Sequence, residues 1–299
     1  MARDEVPVMD MQKGDGLAEE IMKACEEWGC FRMVNHGVPA GLMVEMKAVI
    51  ASLLSLPDEI KKRTVHSEQG KGYLQRNPGT PFFETLSIDD IFSPDEFYDR
   101  LEASPHQRDI INTYMKATCD VARLLGRKLM EGSGLAGDLF NGYYCQMRMN
   151  KYHYCQESVG LSGVGMHSDP TFLTILHDDD KVNGLQVVDK YSGEIISVDP
   201  VPGTLAVNIG DIGKAWSNGR FCSVKHRVCS FEPKTRYSIV LFMLGPKDKK
   251  VEAPPELVDS EHPRLYVPIE FKEYRHVRTT HRLHTGGALE LFRTTNTIA

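Results

Sequence analysis

The stretch "GVGMHSDPTFLTILH", Gly163 to His177, sets a histidine and an aspartate two residues apart at the head of a run with β-strand composition. In an extended chain, residues i and i+2 point to the same side, so His167 and Asp169 are placed to converge on one ion. From about Gln146 onward, strand-like runs recur at short spacing: "TFLTILH", "GLQVVD", "GEIISVD", "TLAVNI", "CSVKHRVCSF" and "RYSIVLFML". The turn signals between them (Val182-Asn183-Gly184, Tyr191-Ser192-Gly193, Pro200 to Gly203, Ser217 to Arg220) predict a β-sandwich or jelly roll.

Upstream the texture is different. "VPVMDM" (Val6 to Met11) reads as an opening strand, and Leu17, Ile21, Ala24 and Trp28 form one stripe of a helix. "CFRMVNHG" follows as a second strand that ends in the turn Asn35-His36-Gly37. Further helices are predicted after Pro39, with Leu42, Met46, Ile50 and Leu54 inward, and from Pro105 to Glu131. Between them Gly70 to Phe97, rich in Gly, Pro and aromatics, reads as a long irregular loop, of the kind that walls or covers a pocket. The expected organisation is one integrated unit. A helical N-terminal region with opening strands and the pocket loop (1–145) packs on a β core with a C-terminal element (146–299).

The chain has 299 residues, a formal charge of −6 and no Lys/Arg block, which argues against a nucleic-acid backbone as partner. No apolar run reaches the roughly 18 residues of a membrane span, and the charged opening "MARDE" is unlike a signal peptide. The seven cysteines are scattered without a C-x-x-C pair, so reduced thiols are the expectation. Together these predict a soluble cytoplasmic protein acting on a small molecule, with no membrane and no obligate protein partner.

A third ligand for the ion is available in His226, 57 residues beyond Asp169 in "SVKHRV". Two histidines and a carboxylate suit a non-haem Fe(II) oxygenase with open coordination positions, and they equally suit a hydrolytic zinc or a cupin-like binding protein. Cys222, His226 and Cys229 resemble half a zinc knuckle, but no second thiol pair stands nearby. Ten residues past His226, Arg236 and Ser238 share a strand face, and a guanidinium fork plus a hydroxyl suits a carboxylate. A zinc hydrolase has no use for that pair, whereas a dicarboxylic co-substrate does.

With these residues in place, the chain resembles the plant 2-oxoglutarate/Fe(II)-dependent dioxygenases. The resemblance runs through "VPVMDM", "GCFRMVNHGVP", "RMNKY", "HSD", "TLAVNIGD", "SNGRFCSVKHRV" and "RYSIVLFMLGP", in that order. It implies a distorted double-stranded β-helix (jelly roll, cupin-like) core in a mainly β chain with flanking helices. It also implies His167, Asp169 and His226 as iron ligands, and Arg236, Ser238, Asn150 and Tyr152 as the residues that hold 2-oxoglutarate. Fe(II), 2-oxoglutarate and O2 are the implied reactants, with ascorbate supporting activity. One departure stands out: many relatives follow Asn-x-Tyr with Pro-Pro-Cys, where this chain has His153-Tyr154-Cys155.

Within the family, "RMNKY", "SNGRFCSVKHRV" and "VDSEHPRLYVPI" look most like the branch of dioxygenases for auxin oxidation. That implies oxidation of indole-3-acetic acid to 2-oxoindole-3-acetic acid; another indole, a gibberellin-like acid or a flavonoid is the alternative. Phe242 shares the strand face of Arg236, and Tyr73, Phe82 and Phe83 of the long loop are expected to wall an aromatic pocket. Arg76, Arg148 and Lys151 are the candidate cations for a substrate carboxylate.

Overall fold

The computed structural model describes residues 5–65 and 71–294. Its strands are β1 Val8–Asp10, β2 Cys30–Val34, β3 Tyr73–Leu74, β4 Phe83–Ile88, β5 Tyr143–Tyr152, β6 Ser162–His167, β7 Leu173–His177, β8 Leu185–Val188, β9 Ile195–Ser197, β10 Leu205–Ile209, β11 His226–Cys229 and β12 Arg236–Pro246. They form an eight-stranded sheet in the order β1-β2-β10-β7-β12-β5-β4-β3 and a four-stranded sheet in the order β6-β11-β8-β9. The two sheets make the jelly-roll sandwich that the strand texture predicts. Helices Leu17–Glu27, Ala40–Leu54 and Pro105–Gly132 add their buried side chains to the core behind the large sheet.

The period-2 alternation of strands sorts the long pair β5 and β12 cleanly. Odd-numbered Met147, Met149, Ile239, Leu241 and Met243 join the helical core, each buried. Even-numbered Arg148, Asn150, Tyr152, Arg236, Ser238, Val240 and Phe242 face the small sheet and line a cavity. Two polar rows inside a protein would be costly unless they serve a ligand, so this alternation already locates the site. The helix Pro105–Gly132 starts with a capping box: Ser104 Oγ accepts from the Gln107 N–H, Gln107 Oε1 accepts from the Ser104 N–H, and Pro105 stands at the first turn.

Three segments differ from the sequence reading. The long loop contains β3 and β4, because "FETLSI" is buried at all six positions and so shows no polar/apolar alternation. Strand β6 ends at His167, and Asp169 lies on the connection that crosses from the small sheet to the large one, so the two residues do not share one strand. In the tail, helix Phe271–Thr280 escapes periodicity analysis because its buried face carries Phe271, Tyr274 and an arginine, Arg278. No single described helix is long and apolar enough to cross a membrane.

His177, at the end of β7, is 2% exposed and stacks on Tyr114 at 5.8 Å between ring centroids, with its Nδ1 bonded to the Tyr114 hydroxyl at 3.0 Å. Burial, helped by Lys47 and His36, pushes its imidazole down to about 3. A folded-state value below the unfolded one means that the neutral ring is favoured in the native protein. Its contribution is complete above about pH 6.5 and is lost as pH falls toward the folded value. His177→Gln is therefore expected to flatten the loss of stability between about pH 6.5 and 4, where the buried ring costs up to about 1.4 kcal/mol per pH unit. Urea unfolding of both proteins across that range measures it, and parallel pH curves would sink the assignment.

Candidate metal and co-substrate site

The cavity between the sheets is lined from the large sheet by Phe83, Arg148, Asn150, Tyr152, Thr174 and Asn208, among others, and from the small sheet by Val164, His167, Leu185, His226 and Val228. The register of β11 on β6 decides its chemistry. His226 pairs directly with His167 across the ladder, which sets their ring centroids 4.2 Å apart. Asp169 then reaches back from the crossover. Its Oδ1 stands 3.6 Å from His167 Nε2 and 3.8 Å from His226 Nε2. These separations are too long for hydrogen bonds and close to the roughly 3–3.6 Å expected of ligands each about 2.1 Å from one ion.

The surroundings aim these donors. His167 Nδ1 bonds to the Gly165 carbonyl at 2.8 Å and His226 Nδ1 to the Val224 carbonyl at 3.2 Å, so each ring carries its proton on Nδ1 and turns the Nε2 lone pair inward. The Thr174 hydroxyl donates to Asp169 Oδ2 at 2.6 Å and leaves Oδ1 for the ion. Burial and the neighbouring His226 hold His167 below the ordinary imidazole value. For Asp169, burial pushes upward, but His226, His167 and the Thr174 hydroxyl outweigh it and keep the carboxyl low. A neutral His167 and an ionised Asp169 are protonation states that a divalent ion needs. His167, Asp169 and His226 are also the only such cluster of potential ligands among the described residues, and Cys229 turns instead to Ser162 Oγ, at 3.4 Å, so no knuckle forms.

Next to the donors lies a second set of groups. Arg236 is wholly buried, with its Cζ 4.8 Å from the centre of the Tyr152 ring. Its Nη2 bonds to Asp178, while Nε and Nη1 find no acceptor among the described residues. Asn150 Nδ2 donates to Ser238 Oγ at 3.2 Å; the Asn150 Oδ1 and Asn208 Oδ1 atoms are buried and unpaired. Buried polar atoms without partners are rare in folded proteins. The two unpaired Arg236 donors, beside three metal donors, fit a carboxylate of a chelating co-substrate.

Two models of protein families match the chain: the 2OG-Fe(II) oxygenase superfamily over residues 143–245, and the non-haem dioxygenase in morphine synthesis N-terminal region over 6–92. The 2-oxoglutarate-dependent dioxygenase DAO of Oryza sativa subsp. indica is 43% identical over 293 residues, covering 95% of this chain and 98% of the relative. This chain belongs to the 2OG-Fe(II) oxygenase superfamily. Among solved structures, the rice dioxygenase for auxin oxidation superposes with a TM-score of 0.89 at 42% identity, covering 97% of this chain and 100% of that one. The Arabidopsis thaliana dioxygenase for auxin oxidation 1, in binary complex with 2-oxoglutarate, gives 0.84 at 46% identity, over 87% of this chain and 100% of that one. The protein is thus an oxidoreductase that uses Fe(II), 2-oxoglutarate and O2 on a small-molecule substrate.

The expected aromatic wall is only partly present. Phe83 and Phe242 line the cavity. Tyr73 does not, because it pairs with Leu86 and shares that residue's helix-side face; there its hydroxyl donates to Glu84 Oε2 at 2.6 Å. Phe82 packs behind the cavity against the cluster of Phe83, Tyr152, Tyr154 and Val228. Of the three candidate cations, Arg76 is exposed and Lys151 points to Glu84, 4.0 Å away. Arg148 lines the cavity, with its Cζ 5.4 Å from the centre of the Phe242 ring. Sequence reasoning missed Thr174, Asn208 and Asp178. Thr174 lies five residues beyond Asp169, and its strand alternation was the available signal.

Proposed function

We propose that this oxygenase oxidises indole-3-acetic acid to 2-oxoindole-3-acetic acid, with His167, Asp169 and His226 as the iron ligands and Arg236, Ser238, Asn150 and Tyr152 holding 2-oxoglutarate. The observation that carries the substrate reading is the similarity, over nearly the whole chain, to dioxygenases for auxin oxidation. The cavity's own chemistry agrees with it. Arg236 and Arg148 lie on the same face of adjacent strands, with Arg236 opposite Tyr152 and Arg148 four residues further along, roughly 13 Å apart. Arg236 then serves the distal carboxylate of the co-substrate, and Arg148, which also lines the cavity, is the cation nearest an acidic substrate's carboxylate. Phe83, Val164, Leu176, Val240 and Phe242 supply flat and aliphatic surface between them.

Bound iron and 2-oxoglutarate supply the oxidation: O2 is consumed, 2-oxoglutarate loses CO2 to become succinate, and one oxygen atom passes to the substrate. The chain's own residues do the rest. His167, Asp169 and His226 would hold the ion where it meets the cavity they line. Arg236 and Ser238 fix one end of the co-substrate, and the apolar wall excludes water. Arg148 keeps the side-chain carboxylate away from the reacting ring carbon beside the indole nitrogen. The seven free cysteines favour a reducing, cytoplasmic setting.

Incubation with indole-3-acetate, ferrous iron, ascorbate and 2-oxoglutarate should yield the oxindole with about one succinate per product. Indoles lacking the carboxylate should react much more slowly. Background succinate formation with indole-3-acetate, together with brisk turnover of a gibberellin, a flavonoid or a neutral indole, would replace this substrate. For the co-substrate clamp, Arg236→Lys keeps the charge and loses the planar fork, so KM for 2-oxoglutarate should rise about tenfold or more with a smaller change for the indole. A rise confined to the indole constant would make Arg236 a substrate residue instead.

A further inference from the structure

The run Asp178-Asp179-Asp180 follows β7, and its three carboxylates have separate roles. Asp179 binds backbone, accepting from the N–H groups of Lys181 and Val182 at 3.0 Å each and of Tyr237 at 3.0 Å. Asp180 pairs with Lys47 at 2.8 Å. Asp178 alone reaches Arg236, which lines the cavity. Its Oδ1 accepts from its neighbour Asp179 N–H at 2.7 Å and from Arg236 Nη2. The guanidinium is closed in from behind as well, since a Cβ at Gly184 would stand 3.1 Å from Arg236 Nε.

An arginine with no exposed surface needs a counter-charge even before any co-substrate arrives, because a lone buried charge costs several kcal/mol. Asp178, itself 7% exposed, supplies that charge. Burial pulls the Arg236 value down, and Asp178, together with Tyr152 and Tyr154, outweighs it and raises the value. Arg32, held by Thr204 Oγ1 at 2.8 Å, is a second cation within electrostatic reach of Asp178. With 2-oxoglutarate bound, one guanidinium would serve two carboxylates, the resident one on Nη2 and the incoming one at the unpaired donors.

We propose that Asp178 is a positioning residue and resident counter-anion for Arg236, which orients the guanidinium in the empty site and limits how tightly 2-oxoglutarate, and succinate after turnover, are held. The proposal rests on the reading of Arg236 as the clamp for 2-oxoglutarate. Two carboxylates on one buried guanidinium repel each other across low-dielectric protein, so each weakens the hold on the other. Succinate keeps the distal carboxylate of 2-oxoglutarate, and the same repulsion assists its departure.

The test uses the full-length, iron-loaded protein under anaerobic conditions. Asp178→Asn preserves an oxygen acceptor for both the Asp179 N–H and Arg236 Nη2 and removes only the charge. The dissociation constants for 2-oxoglutarate and for its unreactive analogue N-oxalylglycine should fall about tenfold, and the inhibition constant of succinate should fall with them. The ligand-free variant should melt lower than wild type, while the rise in melting temperature on adding N-oxalylglycine should be larger. A purely structural role would have the opposite sign, since a loosened Arg236 binds more weakly. Constants unchanged within about twofold, or raised, would overturn the proposal. Should the variant be insoluble alone, N-oxalylglycine present during lysis must restore it, and failure to do so would equally overturn it. If Arg236→Lys leaves 2-oxoglutarate binding intact, the clamp reading itself is wrong; if Arg236→Lys weakens it and Asp178→Asn has no effect, only the counter-anion is wrong.

Discussion

Asp169→Ala is expected to lower indole-dependent succinate formation by ~10³-fold or more, because it removes the one anionic donor that both imidazoles face, and a Lewis-acid metal is worth several kcal/mol of catalysis. Ferrous binding, measured by anaerobic titration calorimetry, should weaken in parallel. The fold should survive. The metal-free Asp169 is a buried carboxylate held by the Thr174 hydroxyl, and losing that bond costs only about 1–2 kcal/mol. His167→Ala and His226→Ala should behave alike, each leaving two donors. Near-normal turnover in any of the three variants would remove that residue from the ligand set.

Asp211→Ala is expected to show the reverse pattern, a large loss of stability. Asp211 is 1% exposed and gathers four donors: the Tyr274 and Arg278 side chains from helix Phe271–Thr280, Ser168 between two of the ligands, and Ser223 just before His226. Arg278 in turn donates to the Ser168 and His284 carbonyls. This carboxylate ties helix Phe271–Thr280 to both ligand-bearing segments. Its removal leaves a buried guanidinium without a counter-charge, at a cost of about 3–5 kcal/mol, or roughly 6–20 °C in Tm for a chain of this size. Ferrous affinity should also drop by about 10–100-fold, since the loop between His167 and Asp169 loses its support. Tyr274→Phe, which deletes one hydroxyl, should cost only about 1 kcal/mol. A Tm for Asp211→Ala within a degree or two of wild type would refute this role.

Asp169 and Asp211 also differ in how readable they are. Asp169 announces itself through His-x-Asp spacing, because ligands contributed by one short stretch must lie close in sequence. Asp211 carries no such mark, since its four donors come from segments 12 to 67 residues away. Asp178 was visible only as part of an acidic run, and its separation from Asp179 and Asp180 depends on the turn that points each carboxylate a different way. Tyr73 and Phe83 seemed equivalent as aromatics of one loop. The alternation of β3 and β4 sends one toward the helices and the other into the cavity.

Taken alone, the sequence determined the strand-rich C-terminal half, the long helices, the metal-donor residue types and the pairing of Arg236 with Ser238 on one strand face. These are local properties, set by periods of two and 3.6 residues and by turn chemistry. Only the tertiary structure decided that His226 lies opposite His167, that Asp169 belongs to a crossover, and that Arg148 rather than Arg76 or Lys151 enters the cavity. It also decided that helix Phe271–Thr280 braces the ligand loop through Arg278. Each of these depends on strand register or on packing between distant segments. A register shift of one residue turns every side chain to the other face without changing local propensity, so such facts are fixed by the assembled core and not by any single stretch of chain.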